Sequence, residues 1–313
     1  MVMEDYPNDL LEFEERFCTE DACRAYVQRI RWPEGFRCPR CGGTRYWWMT
    51  KRRLFQCVQC GLQTSLLAGT IFQDSRKPLG LWFRAMWHIS TQKYGANALG
   101  IQRVLDLGSY ETAWVWLHKL RRAMVRPGRD RLSGVVEVDE TFIGGEKHGK
   151  HGRGAAGKTL VVVAAQHDGR RIGRIRLFRV PDATAESLTR VVKEAVEPGS
   201  TVCTDGLRSY LELPAMGYQH NAIRKDESVG ENPLPKVHLV ASLLKRWLLG
   251  TYQGAAEPAH LDYYLDEYTF RFNRRTSRFR GKLFYRLVEQ AVAIDPVPAK
   301  EIWGGTENTK HNM

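Results

Sequence analysis

Four of the seven cysteines are spaced for metal binding. Cys38 and Cys41 form one C-x2-C pair, Cys57 and Cys60 form a second, and fifteen residues separate the pairs. Each pair makes a tight turn that directs two thiolates at one point, and two such turns complete a tetrahedron. The spacing therefore predicts a Zn²⁺ site, with iron on the same sulfurs as the minor alternative. Because four protein ligands leave no open position, we expect the metal to be structural.

Two aspartates stand where strands could hold a divalent metal ion. Asp139 lies in the middle of an apolar stretch at residues 135–145, and Asp205 ends another at residues 201–206. Carboxylates held close together on rigid strands repel each other unless a cation lies between them. A single aspartate at a strand end is equally well a turn cap, so the prediction depends on the pair.

The elements around these aspartates define a fold class. The sequence predicts strands at 135–145, 158–165 and 174–180, a helix at 183–195, a strand at 201–206 and helices from 237 onward. This order fits an α+β or α/β domain of the RNase H-like type, with a mixed five-stranded sheet flanked by helices. In that fold the middle of the first strand lies beside the end of the fourth, which would bring Asp139 next to Asp205.

The residues upstream of this domain predict two further modules. Short strands near residues 46–48 and 53–57, between the cysteine pairs, indicate a zinc ribbon. Residues 96–105 and 110–122 read as two helices joined by a glycine-containing turn, which is a helix-turn-helix pattern or a plain helical hairpin. The second helix ends in bases that we expect to contact DNA: Lys119, Arg121 and Arg122.

The charge distribution favours a polyanionic partner. The chain has 313 residues and a net charge of +12, although residues 1–21 hold eight acids and one base. A large positive charge outside residues 1–21 favours binding to nucleic acid, although such a charge can also serve only to keep a protein soluble. Residues 271–286 hold seven bases and no acid, so we expect Arg271, Arg274 and Arg275 to contact phosphate, with an exposed helix end as the alternative. No apolar run is long enough for a membrane span, and the acidic start argues against a secretory signal.

Several stretches together resemble bacterial insertion-sequence transposases of the DDE superfamily. They are Arg31-Trp32-Pro33 before Cys38-Pro39-Arg40-Cys41-Gly42, Tyr110 to Trp114, Glu137 to Thr141, Thr204-Asp205-Gly206, His238 to Gly250, and Phe270 to Arg275. The resemblance covers residues 20–290 and is to the group with an N-terminal zinc ribbon. It implies that two aspartates and a third ligand hold Mg²⁺ or Mn²⁺ ions. It also implies that water cleaves the DNA strand and that the freed 3′-hydroxyl attacks target DNA.

The third metal ligand departs from the superfamily's usual glutamate. His238 follows Asp205 by 33 residues, and Lys245 follows His238 by seven. The resemblance implies that His238 is the ligand, since the group includes members with His or Asn there, and that Lys245 meets a phosphate. A helix over residues 236–247 would put both side chains on one face. Glu231 is the rival ligand, but Pro233 and Pro235 argue that it lies in a loop.

These patterns divide the chain into four segments. We expect N-terminal helices and the zinc ribbon at 1–75, a helix-turn-helix-like DNA-binding region at 76–130, the RNase H-like catalytic domain at 131–290 and a tail at 291–313. The expected function is transposition, with DNA at the element's terminal inverted repeats and at the target, and a homo-oligomer in the synaptic complex. We expect the protein in the cytoplasm with the nucleoid. The alternatives are a catalytically inactive DNA-binding regulator derived from a transposase, and a simple RNase H-like nuclease or resolvase.

Overall fold

The computed structural model describes residues 4–126, 128–144, 158–223, 232–253 and 256–304. Glu231, the rival third ligand, lies outside the described residues. No helix within these ranges combines the length and the apolar character that crossing a membrane requires.

The described residues form ten α-helices and eight strands. The helices are α1 (Leu10–Arg16), α2 (Glu20–Arg31), α3 (Leu79–Thr91), α4 (Ala98–Val104), α5 (Tyr110–Arg122), α6 (Ala185–Ala195), α7 (Pro235–Tyr252), α8 (Leu261–Phe272), α9 (Arg280–Ala293) and α10 (Ala299–Trp303). The strands are β1 (Tyr46–Met49), β2 (Leu54–Cys57), β3 (Gln63–Ser65), β4 (Val135–Ile143), β5 (Thr159–Asp168), β6 (Arg171–Val180), β7 (Thr201–Thr204) and β8 (Gln219–Ala222). Single turns of 3-10 helix lie at Arg208–Tyr210, Pro214–Met216 and Pro258–His260.

Contacts divide the chain into two compact units. The first is Met1–Arg126 with Ser277–Trp303, and the second is Pro127–Thr276 with Gly304–Met313. Helix α9 packs in the first unit because Phe284 meets the rings of Phe13 and Phe83, each at a centroid distance of 5.3 Å. Residues 277–290, which the sequence-based division places in the catalytic domain, therefore contribute to the core of the first unit. The division into functional domains stays a prediction.

In the first unit, β1, β2 and β3 form an antiparallel sheet in that order, as a zinc ribbon requires.

Helices α4 and α5 follow the helix-turn-helix spacing, and Ser109 caps α5 by accepting a hydrogen bond from the Thr112 amide at 3.1 Å. Trp116 of α5 stacks on Trp82 of α3 with a centroid distance of 3.9 Å. Most of α5 is thus buried within its own unit, which limits the face that it could offer to DNA.

The second unit is built on a five-stranded sheet in the order β6-β5-β4-β7-β8. Strands β4, β5 and β6 are antiparallel neighbours, whereas β7 runs parallel to β4 and β8 parallel to β7. Side chains of β5 alternate between two cores: Val161 and Val163 pack with α7 and α8, and Leu160 and Val162 pack with α6. The predicted mixed sheet flanked by helices is confirmed, and with it the predicted fold class.

Candidate functional site

The four cysteines of the zinc ribbon meet at one point. Their sulfur atoms all lie within 4.8 Å of one another, and the Cys38–Cys60 and Cys41–Cys57 pairs are each 3.6 Å apart. Zinc–sulfur bonds of about 2.3 Å place tetrahedral thiolates about 3.8 Å apart, so the cluster fits zinc. The glycines that follow each pair, Gly42 at φ +71° and Gly61 at φ +70°, adopt the left-handed conformation that such turns require.

The predicted neighbours Asp139 and Asp205 come from adjacent parallel strands. Residues Val135, Val136 and Glu137 of β4 pair with Thr201, Val202 and Cys203 of β7. Continuing this register places Asp205, just after β7, alongside Asp139. Burial, reinforced by the charge of Asp205, raises the pKa of the Asp139 carboxyl. The ionised pair is therefore unfavourable unless positive charge approaches it.

Helix α7 brings His238 to Asp139. Its Nε2 atom lies 2.9 Å from Asp139 Oδ2, and its Nδ1 atom lies 2.5 Å from Oδ1 of Asn232. The same Asn232 oxygen accepts a hydrogen bond from the Leu234 amide at 3.2 Å. Lys245 is exposed two turns further along α7, on the helix that the sequence predicts.

Sequence reasoning missed two residues that hold this arrangement, Asn232 and Glu137. Glu137 is only 3% exposed and lies two residues before Asp139 on the same face of β4. Its Oε2 atom accepts hydrogen bonds from the Lys236 and Val237 amides, at 2.7 and 3.0 Å. An acid on the core-facing side of a strand signals a buried network, since a buried carboxylate needs partners. No comparable sequence signal marks Asn232.

The bases predicted to contact DNA at the end of α5 are largely covered. Arg121 is 1% exposed and donates to the Ala96 carbonyl, so a phosphate could reach it only if it left this position. Lys119 and Arg122 are half-buried, and burial lowers the pKa of Lys119.

The bases at the end of α8 are engaged with protein. Arg274 covers the Phe270 ring with its guanidinium 4.1 Å from the ring centroid, and Arg275 covers Phe272 at the same distance. Arg275 also donates to the carbonyls of Ile172 and Gly173 on β6. Arg271 is half-buried. Phosphate contact by Arg271, Arg274 and Arg275 stays a prediction.

The zinc ribbon has an exposed aromatic and basic surface that sequence reasoning did not single out. Tyr46, Trp47 and Trp48 on β1 are 39%, 69% and 47% exposed. We call these three residues, with the exposed bases Arg45, Lys51, Arg52 and Arg53, the ribbon face. Its rings lie on both sides of β1, because Tyr46 and Trp48 pack on Phe55 and Trp47 points the other way. A signal was present, because residues 36–65 contain six bases and no acid.

Two protein-family models match the chain. The ISXO2-like transposase domain of the IS1595 group matches residues 131–273, and the transposase zinc-ribbon domain matches residues 18–63. The chain belongs to the insertion-sequence transposases. The first match lies in the second unit of the transposase, around the five-stranded sheet, and the second match contains the four cysteines.

These matches confirm the resemblance drawn from the motifs, and neither favours the regulator alternative. The zinc-ribbon match and the four clustered thiolates together support structural zinc in the transposase. A search of curated proteins finds no match.

Proposed function

We propose that this transposase binds the ends of its element and target DNA, and that it cleaves and joins strands at a divalent-metal site. The ligands of that site would be Asp139, Asp205 and His238. The observation that carries the proposal is the contact between His238 Nε2 and Asp139 Oδ2 at 2.9 Å, together with the hydrogen bond between His238 Nδ1 and Asn232 Oδ1.

The tautomer of His238 follows from its partners. The Leu234 amide can only donate, so the Asn232 atom that it meets is the amide oxygen. That oxygen also faces His238 Nδ1, which must therefore carry the ring hydrogen. In a neutral ring Nε2 then has a lone pair directed at a carboxylate oxygen. Two acceptors at this distance require a proton or a cation.

The donor set fits Mg²⁺ or Mn²⁺. Carboxylate oxygens from Asp139 and Asp205 suit both hard cations, and an imidazole nitrogen favours Mn²⁺. One Asp205 oxygen accepts a hydrogen bond from the Leu207 amide at 3.0 Å, which fixes the carboxylate orientation. When bound, such ions lower the pKa of an attacking water and neutralise charge on the phosphate.

The protein's own side chains would hold the metal ions and the DNA phosphate during cleavage and joining. Asp139, Asp205 and His238 would hold the metal ions, and Lys245 would supply a positive charge for the phosphate two turns along α7. Water would break the phosphodiester bond and leave a 3′-hydroxyl on one side of the break and a 5′-phosphate on the other. That hydroxyl would attack a target phosphodiester. The new bond joins the element end to the target, and the 3′-oxygen of the target strand leaves as a hydroxyl.

The ribbon face is our candidate for holding element DNA. Its basic side chains would neutralise phosphates, and Trp47, whose ring is 69% exposed, would offer a stacking surface to nucleotide bases or sugars. We further propose a homo-oligomer in the synaptic complex, because two element ends must be held together, and a cytoplasmic location with the nucleoid, where the DNA substrate lies.

Cleavage of a labelled duplex carrying the terminal inverted repeat tests this function. We expect faster cleavage with Mn²⁺ than with Mg²⁺, and none for Asp139→Ala or Asp205→Ala. His238→Ala should bind DNA normally but not cleave it, whereas His238→Glu should keep part of the activity. Leu239→Ala, an exposed neighbour on α7, is the matched control and should cleave like the wild type.

The outcome that contradicts the ligand assignment concerns the rival residue. Near wild-type cleavage by His238→Ala, combined with an inactive Glu231→Ala, would move the third ligand to Glu231. Cleavage by Asp139→Ala or Asp205→Ala would refute the metal site itself.

A further inference from the structure

Helix α7 begins without a cap from its own sequence. Pro235 occupies its first turn, and Leu234 before it provides no side-chain hydrogen bond. The first amides of a helix have no partner within the helix, so they need acceptors from elsewhere. Glu137 on β4 supplies one, because its Oε2 atom accepts from both Lys236 and Val237.

Glu137 is held in turn from its other side. Its Oε1 atom lies 2.8 Å from Nε2 of His167 on β5. A buried carboxylate with three such contacts is rigid, and its negative charge suits the positive end of the helix. The strand that carries Asp139 thus also anchors the helix turn that carries His238.

Asn232 controls the ring rather than the helix. Its oxygen binds the Leu234 amide and His238 Nδ1 together, so it fixes both the local turn and the ring hydrogen. Partners of this kind orient metal-ligating histidines and select their tautomer. The other nitrogen, Nε2, is left beside Asp139.

We infer that Asn232 and Glu137 are positioning residues for His238. Asn232 holds the Nδ1–H tautomer, and Glu137 fixes the first turn of α7 against β4, so Nε2 faces Asp139 before any metal binds. This inference rests on the proposed function in one respect, namely that His238 is a ligand in strand cleavage.

The test of Asn232 uses the full-length protein and two variants. Asn232→Leu removes the acceptor, whereas Asn232→Asp keeps an oxygen in the same place. Nitrogen NMR of the histidine rings, without added Mg²⁺ or Mn²⁺, reports the tautomer, and the His238 signal is identified by its loss in His238→Ala. We expect a hydrogen on Nδ1 in the wild type and the Asp variant, and a shift towards the tautomer with hydrogen on Nε2 alone in the Leu variant.

The same variants change the metal requirement of cleavage. For Asn232→Leu we expect the Mn²⁺ concentration at half-maximal rate to rise by about 10- to 100-fold, with DNA affinity unchanged. Asn232→Asp should stay close to the wild type. Asn232 is exposed, so its substitution does not threaten the core.

Glu137→Gln tests the anchor while keeping its shape. Losing the charge weakens the bonds to the Lys236 and Val237 amides. We expect faster hydrogen exchange at these two amides, together with a several-fold higher Mn²⁺ requirement. Unchanged exchange and an unchanged Mn²⁺ requirement would remove Glu137 from the inference.

The outcomes separate this inference from the proposed function. If His238→Ala abolishes cleavage but Asn232→Leu changes neither the tautomer nor the Mn²⁺ requirement, the positioning role of Asn232 is wrong and the metal site stands. If His238→Ala cleaves normally, the ligand role of His238 is wrong, whatever Asn232 does to the ring.

Discussion

Replacement of Asn273 should destabilise the second unit, because this side chain covers the edge of the sheet. Strand β6 is an outer strand, and Ile175 on it is fully buried. Asn273 accepts a hydrogen bond from the Ile175 amide at 2.7 Å and donates one to the Ile175 carbonyl at 3.1 Å. It thus satisfies an edge residue much as a neighbouring strand would.

The magnitude follows from the one group that loses its partner. Asn273→Leu removes both bonds. The Ile175 carbonyl keeps the bond that Arg176 Nη1 donates at 2.9 Å, so only the buried Ile175 N–H is left unsatisfied, at a cost of about 1–3 kcal/mol. We therefore expect a loss of about 1–3 kcal/mol in the free energy of unfolding, out of the roughly 5–15 kcal/mol of an ordinary domain.

Hydrogen exchange at β6 and urea denaturation measure this effect. The exchange of the Ile175 amide reports the edge locally, and denaturation reports the free energy of unfolding. The matched control is Asn221→Leu on β8, the opposite edge strand, where the Asn221 side chain makes a 3.9 Å contact with the Cys203 sulfur. We expect the control to change stability by less than about 0.5 kcal/mol.

The opposite result would leave DNA binding as the role to test for this segment. If Asn273→Leu leaves stability and Ile175 exchange unchanged, the reasoning about the edge is refuted. The salt dependence of DNA binding then becomes the deciding measurement. A double replacement of Arg274 and Arg275 with Ala should flatten that dependence by up to about two phosphate contacts if these arginines bind DNA.

Three further predictions concern the zinc, the metal site and the ribbon face. Cys57→Ser should lower the zinc content measured by elemental analysis and abolish exchange protection in β1–β3, while β4–β7 stay protected. Asp139→Asn, without added Mg²⁺ or Mn²⁺, should unfold at higher urea than the wild type at pH 7 but not at pH 3. The reason is that burial raises the pKa of Asp139, so its ionisation at pH 7 costs stability in the folded protein. This cost disappears below the pKa that the Asp139 carboxyl has in the unfolded chain. Trp47→Ala should weaken DNA binding by about 1–3 kcal/mol, measured by fluorescence anisotropy, with unchanged thermal stability because its ring is mostly exposed.

The sequence alone was sufficient where local spacing carries the information. Two C-x2-C pairs define a four-thiolate cluster because each pair closes within a single turn. Apolar stretches predict β4 and β5, and alternating apolar residues predict β6, because side chains on a strand repeat every two residues. The order of strands and helix then predicts the neighbourhood of Asp139 and Asp205, since few topologies accommodate it.

Tertiary structure decided which side chains the folded protein uses internally. Arg121 and Arg275 read as DNA contacts in the sequence, because a base near a helix end usually faces solvent. The fold brings the Ala96 carbonyl to Arg121, and the Ile172 and Gly173 carbonyls to Arg275, while DNA contact by either arginine stays a prediction. These partners lie 25 to 103 residues away in the chain, so no local sequence pattern predicts them.

A large separation in sequence also explains why the anchor of the His238 helix was not predicted. Glu137 lies about 100 residues before the amides that it accepts from, and only the packing of α7 on the sheet joins them. The sequence determined that a histidine follows the second aspartate at the spacing of a third ligand. Only the tertiary structure decided its ring orientation, because that depends on Asn232, Leu234 and Asp139 meeting in one place.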